Sequence, residues 1–200
     1  MKIWLSMLIV VSVYSILDFT PAFCSDDNPV IKKVEGEYIL VLPKMMKKAL
    51  QNYDPIFTSW RQNDYLPSLL DSYTFLVNQA PFAVIGDFNG DKVLDVVSSG
   101  HNKDNDLLVC ILSNGRKFKV VEIERYPLTD PKKEWYGMGD HREHGLWVYL
   151  TFISQGKIKS PYEKRSLKLK TDAFEWNAFE KASVLYYFKG DEFLKYQTND

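Results

Sequence analysis

LLVCILSNGRKFKVVEI occupies residues 107–123 and holds two apolar runs on either side of the pair Asn114-Gly115. An Asn-Gly pair between apolar runs is a strong signal of a tight β-hairpin, because both residues tolerate the positive φ angles that such a turn requires. The stretch therefore predicts two long antiparallel strands joined at this turn. Cys110 lies inside the first run, away from any base or helix start, and is expected to be a small buried hydrophobic residue rather than a nucleophile.

Short apolar runs separated by turn residues continue on both sides of this hairpin. They predict a sheet-rich chain of eight or nine strands. The run over 146–153 has a single polar member, Thr151, and is expected to be a central strand buried on both faces. The further predicted strands are 38–42, 82–85, 94–97, 167–170, 184–188 and 193–196.

The N-terminal part, residues 25–80, has two stretches with helical periodicity after the short strand predicted over 38–42. Pro43 suits the first position of a helix over 43–53, and a weaker helical pattern follows over 68–75. The predicted fold class is therefore α+β, with mostly antiparallel β-meander sheets over 81–200 behind this short helical part.

The composition is that of an ordinary globular protein, with 200 residues of which 46% are hydrophobic and 26% charged. With 25 basic and 26 acidic residues the formal net charge is -1. A balance this even gives no electrostatic reason to expect a nucleic-acid partner. At this length, residues 25–200 are predicted to form one β-rich domain, which we expect to be a monomer.

Residues 1–24 have the layout of a secretory signal peptide. Lys2 precedes an uncharged, mainly apolar stretch over 3–17, and Ala22 and Cys24 stand where small residues precede a cleavage after Cys24. The chain is therefore expected to be periplasmic or secreted, without a membrane partner after cleavage. Its partner is expected to be a protein or glycan of the cell envelope. Two alternatives are an uncleaved N-terminal anchor and a lipid attached to Cys24.

One motif carries recognisable chemistry, the pattern D-x-N-x-D-x-x-x-D over residues 87–95. Oxygen donors at the first, third, fifth and ninth positions of a tight loop suit a hard cation that takes roughly six to eight oxygen ligands, and their charge favours Ca2+ over Mg2+. An EF-hand is excluded, because Ser98 stands where the glutamate at the twelfth position is required. The predicted ligands are the side chains of Asp87, Asn89, Asp91 and Asp95 and the backbone carbonyl of Val93.

The stretch FAVIGDFNGDKVLDVV over 82–97 resembles the FG-GAP or VCBS type of calcium-binding repeat found in integrin-like propellers. The resemblance extends over about residues 81–123 and implies the same five calcium ligands. A closed propeller needs at least about four blades, and the chain has one copy of the motif, so a propeller is not expected. The chain departs from the repeat at Lys92, where a glycine is usual because that residue commonly adopts a left-handed backbone.

A second, weaker candidate site is the loop 139–145, which holds His141 and His144 beside Asp140 and Glu143. Imidazoles next to carboxylates can bind a transition metal or act as a general acid and base. This loop supports the alternative function, a periplasmic hydrolase with His144 as the base. The chain has no nucleophile elbow, phosphate loop or dinucleotide fingerprint, and is therefore expected to be a binding or accessory module rather than an enzyme.

The intact mass of the chain recovered from the periplasm of an expressing bacterium tests the export prediction. We expect a chain that begins near Ser25 and carries no acyl group, because a signal peptide is removed during export. A mass that includes Met1, or a diacylglycerol adduct on Cys24, would contradict the predicted cleavage.

Overall fold

Antiparallel β-strands account for about half of the described residues in a computed structural model, which describes residues 28–115, 117–128, 145–163 and 166–199. Two short helices, α1 (Lys44–Tyr53) and α2 (Pro67–Ser72), and a 3-10 turn (Gln62–Asp64) lie before residue 81. The strands, in chain order, are β1 (Val30–Val34), β2 (Glu37–Val41), β3 (Thr58–Ser59), β4 (Gln79–Ala80), β5 (Ala83–Gly86), β6 (Asp95–His101), β7 (Asn105–Asn114), β8 (Lys117–Pro127), β9 (Val148–Ile153), β10 (Gly156–Ile158), β11 (Leu167–Leu169), β12 (Ala173–Ala178), β13 (Ser183–Lys189) and β14 (Glu192–Asn199).

The larger sheet has the strand order β4-β5-β6-β7-β8, with β3 paired to the end of β6. Its longest ladder joins β7 to β8 and ends where Asn114 stands opposite Lys117. This ladder confirms the two strands predicted from the Asn-Gly pair. Gly115 in the turn has the positive φ, 63°, that a tight hairpin requires.

The smaller sheet has the order β14-β13-β12-β9, and its neighbouring strands are antiparallel. The prediction of a central strand over 146–153 is wrong, because β9 stands at the end of this order. Its outer edge meets the larger sheet instead: the Leu150 N–H donates to the Pro81 carbonyl (3.0 Å) and the Phe152 N–H donates to Gln79 Oε1 (2.9 Å). An edge strand covered in this way is as apolar as a central one.

The two sheets pack face to face, and the side chains between them form the main core. Phe174 of β12 is fully buried, and its ring stacks parallel to that of Tyr186 with 5.2 Å between centroids. It also meets Phe88 edge-on at 5.9 Å. Aromatic pairs of this kind add about 0.5–1.5 kcal/mol each beyond the burial of their area. Cys110 is buried in this core, as predicted, with the residues Val84, Val97, Leu108, Leu112 and Leu150.

The opposite face of the larger sheet is covered by α1 and the β1-β2 hairpin. Met46 of α1 is fully buried against apolar side chains of β5, β6 and β7. From the inner face of the hairpin, Ile31 and Leu40 pack against the same cluster. Helix α1 begins at Lys44, directly after Pro43, because a proline fixes φ and lacks the N–H that a helix start leaves unpaired.

Fourteen strands lie in the described residues, whereas the sequence predicts eight or nine. Several of the additional strands, such as β3, β4 and β10, are two or three residues long, which is too short for an alternating pattern to show. Over the described ranges the sheets are open and none closes on itself. In the same ranges no helix has both the length and the apolar character needed to cross a membrane.

Candidate functional site

The predicted calcium motif forms the loop between β5 and β6. The last ladder pair before it is Gly86 opposite Asp95, and the chain between them curls through two left-handed residues, Gly90 (φ 82°) and Lys92 (φ 69°). The left-handed backbone expected at Lys92 is therefore confirmed. This conformation costs a residue with a Cβ about 1–2 kcal/mol, so the loop holds Lys92 in a strained geometry.

Asp87, the first residue of the motif, organises the turn that follows it. One carboxylate oxygen accepts the N–H groups of Gly90 (2.7 Å) and Asp91 (3.1 Å). The other oxygen accepts the N–H of Lys92 (2.9 Å). The carboxylate of Asp87 thus lies inside the curl of the loop, where it compensates three backbone donors.

Asn89 and Asp91 attach the loop to the end of β7 through Ser113. Asn89 Nδ2 donates to the carbonyl and to the hydroxyl of Ser113, both at 3.0 Å. The Ser113 hydroxyl donates in turn to Asp91 Oδ2 (2.7 Å). The amide oxygen of Asn89 accepts the N–H of Asp91, and the other carboxylate oxygen of Asp91 accepts the N–H of Val93, each two residues ahead. These Asx turns hold the backbone in its curled path.

Asp95 ends the motif as the first residue of β6 and has no exposed surface. Its two oxygens accept the N–H groups of Phe88 (3.0 Å) and Ser113 (2.7 Å). Burial raises the pKa of this carboxyl to about 6, and the hydrogen bonds from Ser113 and Phe88 act against that increase. Asp95 is therefore a buried acid that the surrounding backbone compensates only in part.

The loop also contacts the smaller sheet, at the turn between β11 and β12. The Asp87 N–H donates to Asp172 Oδ2 (3.0 Å), and the Asp172 N–H donates to the Asp87 carbonyl (3.2 Å). A Cβ at Gly90 would lie 2.8 Å from the methyl group of Thr171, so the close approach requires glycine. The motif thus lies where the β5-β6 loop, the end of β7 and the β11-β12 turn meet.

The donor types in this loop fit calcium, since three carboxylates and one amide oxygen are hard ligands. Each of these groups already accepts hydrogen bonds, but a carboxylate has about four lone-pair sites, so acceptor capacity remains. Among the residues that the structure describes, no three His, Cys, Asp or Glu side chains form a group that could hold a metal ion. The calcium site over 87–95 therefore stays a prediction.

Two contacts of the loop, Ser113 and Asp172, do not belong to the predicted motif. Ser113 bonds to three of the four predicted ligand side chains, yet in the sequence it is only the residue before a hairpin turn. The pairing of β6 with β7, which places Val96 opposite Ile111, brings Ser113 to the start of β6. A prediction of this register would have placed Ser113 next to the motif. Asp172 has no comparable signal, because it depends on how the two sheets pack.

The alternative histidine site lies outside the described residues, as does the predicted signal peptide over 1–24. Both therefore remain predictions. The residues concerned in the first case are Asp140, His141, Glu143 and His144.

Comparison of the chain with models of protein families, with curated proteins and with solved structures finds no match in any of the three.

Replacement of Lys92 by glycine is expected to stabilise the protein. Relief of the left-handed strain, about 1–2 kcal/mol, exceeds the loss of about 0.5–1 kcal/mol that glycine causes through the freedom of the unfolded chain. Lys92→Gly should therefore raise the free energy of unfolding by up to about 1 kcal/mol in urea denaturation with EDTA present. Lys103→Gly, at an exposed lysine without positive φ, is the matched control and should lower it. Equal losses in the two variants would show that Lys92 is not strained.

Replacement of Asp95 by asparagine is expected to destabilise the protein at pH 8, where the carboxyl is ionised. Asparagine has nearly the same shape, but its amide nitrogen would face one of the two buried N–H donors now held by Asp95. The loss of one such bond to a charged acceptor should lower the free energy of unfolding by about 1.5–3 kcal/mol. Asp104→Asn, at an exposed aspartate, is the control and should change it little. A neutral Asp95→Asn substitution would contradict the role assigned to this carboxylate.

Proposed function

We propose that the chain is an exported calcium-binding protein, periplasmic or secreted, that acts as a binding or accessory module of the cell envelope. The observation that carries the proposal is the 87–95 loop, in which the spacing of oxygen donors resembles that of an FG-GAP or VCBS repeat. The left-handed backbone at Lys92 is the geometry that this resemblance implies for the residue after the third ligand. We extend the proposal to an α+β fold with a short helical part over 25–80.

The charge of the loop supports a cation from solution. Asp87, Asp91 and Asp95 lie within nine residues, and in the part of the chain that the structure describes no lysine or arginine forms an ion pair with any of them. Backbone N–H groups compensate these carboxylates only as partial charges. A divalent ion in this loop would be held by Asp87, Asn89, Asp91, Asp95 and the carbonyl of Val93, as the resemblance implies.

Calcium suits this loop better than magnesium. The loop offers charged and neutral oxygens in an irregular arrangement, which calcium accepts, whereas magnesium demands a near-ideal octahedron and retains its waters. The expected role of the ion is structural. It would reinforce the junction of the β5-β6 loop with the end of β7 and with Asp172, and so hold the two sheets in a fixed relation.

The partner is proposed to be a protein or glycan, bound by a monomer. The balanced charge of the chain argues against nucleic acid. The alternative function, a hydrolase that uses His141 and His144, depends on residues outside the described ranges, and no contact of the described residues favours it.

Thermal denaturation with and without calcium tests the proposed function. A ligand that binds only the folded state stabilises it by about 2.7 kcal/mol at a hundredfold excess over its dissociation constant. Millimolar calcium should therefore raise the Tm of the unmodified protein, and Asp87→Ala should abolish that increase. Because Asp87 also compensates three backbone donors, the quantity compared is the calcium-dependent change in Tm of each variant, not its Tm.

Asp104→Ala is the control for this experiment, because Asp104 is an exposed aspartate outside the loop. It should keep the full calcium-dependent change in Tm. Equimolar magnesium should produce a smaller change than calcium. If the unmodified protein shows no change at about 10 mM calcium, above the range of extracellular sites, the loop is an acidic turn without a metal and the proposed function fails.

A further inference from the structure

The exposed apolar side chains of the protein are concentrated in one region. Seven of the nine large hydrophobic residues that are exposed in the described ranges lie in β1, β2, α1 and the loop before β4. Val77 in that loop is 87% exposed and Leu76 is 68% exposed. The seven are Val30, Val34, Ile39, Val41, Met45, Leu76 and Val77.

The register of the β1-β2 hairpin places four of these side chains on one surface. Val30 stands opposite Val41, and Lys32 stands opposite Ile39. Because side chains alternate along a strand and paired residues share a face, the four apolar residues Val30, Val34, Ile39 and Val41 project from the same side of the hairpin, together with Lys32 and Glu37. The other side, with Ile31 and Leu40, faces the core. The outer side of the hairpin is therefore an apolar surface with no described covering.

The exposed side of α1 faces in the same general direction. Met46 of α1 and the inner face of the hairpin pack on the same surface of the larger sheet, so their outward side chains lie on the same side of the molecule. Four exposed lysines accompany the apolar residues here: Lys32 on the outer side of the hairpin, and Lys44, Lys47 and Lys48 in α1. Glu37, opposite Val34, is the acidic residue on that outer side, so these side chains carry a formal charge of +3 in a chain whose total is -1.

The loop before β4 adjoins the hairpin through an aromatic contact. The ring of Tyr38 in β2 meets that of Phe75 edge-on, with 5.7 Å between centroids. Lys33 lies over the ring of Tyr38 at 5.0 Å. The exposed residues Leu76 and Val77 directly follow Phe75. Tyr38 belongs to the inner side of the hairpin, with Ile31 and Leu40, so this contact does not place Leu76 and Val77 on the outer side. We define the hairpin face as the outer side of β1-β2 together with the exposed side of α1.

We propose that the hairpin face docks onto an anionic phospholipid surface. Aliphatic side chains that enter the headgroup boundary, with lysines beside them that attract anionic lipids, are the two components of interfacial membrane binding. A protein partner is less well matched, because lysine is depleted from the centres of protein interfaces. This inference concerns a different surface from the calcium loop. It replaces the expectation that the exported chain has no membrane partner.

The position of the hairpin face in the chain supports the same occupant. The apolar stretch over 3–17 precedes β1, and only residues 18–27 separate it from Asn28, the first described residue. Ten residues span at most about 36 Å. If the stretch over 3–17 acts as the proposed signal peptide, this length of chain would keep Asn28 within about 36 Å of the bilayer until cleavage.

Cosedimentation with lipid vesicles tests this proposal, with protein recovered from the soluble periplasmic fraction and EDTA present so that the calcium loop does not contribute. We expect binding to vesicles of phosphatidylglycerol and phosphatidylethanolamine, weaker binding to phosphatidylcholine vesicles, and a decrease at high salt. Lys32→Glu should reduce the partition coefficient by about tenfold, because it replaces an attraction by a repulsion. Ile39→Glu should reduce it by a similar factor, because it removes an apolar contact and adds a negative charge.

Two matched controls separate the hairpin face from a general effect of charge. Ile56→Glu changes an exposed isoleucine in a different groove, beside Trp60 and His101, and Lys189→Glu changes an exposed lysine in β13. Both variants should bind the anionic vesicles as well as the unmodified protein does. Circular dichroism verifies that each variant is folded, which is expected because all four positions are exposed.

Three results would overturn the proposal. The first is no binding of the unmodified protein to anionic vesicles, and the second is equal loss of binding in the controls and in the hairpin-face variants. The third is a dimer in light scattering that Ile39→Glu dissociates while vesicle binding is absent, which would assign the hairpin face to a second copy of the chain. None of these results depends on whether the protein binds calcium.

Discussion

Asp95 places a carboxylate with no exposed surface at the first position of β6, and its two oxygens hold the N–H groups of Phe88 and Ser113. Both donors belong to the backbone and neither can rotate toward water. If the carboxylate were removed, each buried N–H left without a partner would cost about 1–3 kcal/mol. The β5-β6 loop must therefore pack against the end of β7, and this packing brings the predicted motif and Ser113 into contact.

The position of this loop in turn affects how the two sheets meet. Phe88 donates its N–H to Asp95, while its fully buried ring contacts Phe174 of the smaller sheet. The preceding residue, Asp87, donates its N–H to the carboxylate of Asp172 in the β11-β12 turn and accepts the Asp172 N–H with its carbonyl. A change in the conformation of the loop would therefore be transmitted to the packing between the sheets. For this reason we regard the proposed calcium ion as a structural element of the core rather than a surface ligand.

Features that depend only on residues close together in the chain were predictable from the sequence. The Asn-Gly pair identified the β7-β8 hairpin, and the motif spacing identified the left-handed backbone at Lys92. Features that depend on what covers a strand were not predictable. The apolar run over 146–153 indicates burial, but periodicity cannot show that the larger sheet, rather than a further strand, covers the edge of β9. The contacts of Asp172 with the loop depend on that same packing.

Two carboxylate sites at different positions along the larger sheet differ in the positive charge that compensates them. Glu124 of β8 accepts the hydroxyl groups of Tyr126 (3.1 Å) and Tyr186 (3.0 Å) and forms an ion pair with Lys195. The protein itself thus supplies the cation that balances Glu124.

At the other site, three carboxylates of the motif share one loop, and among the described residues none of them has a lysine or arginine as an ion-pair partner. Like charges this close destabilise one another unless a cation lies near them. The described part of the fold thus pairs Glu124 with Lys195 and leaves Asp87, Asp91 and Asp95 to backbone N–H groups and the Ser113 hydroxyl. The divalent cation of the proposed function would supply the positive charge that no described lysine or arginine provides, because its oxygen ligands would be these same carboxylates.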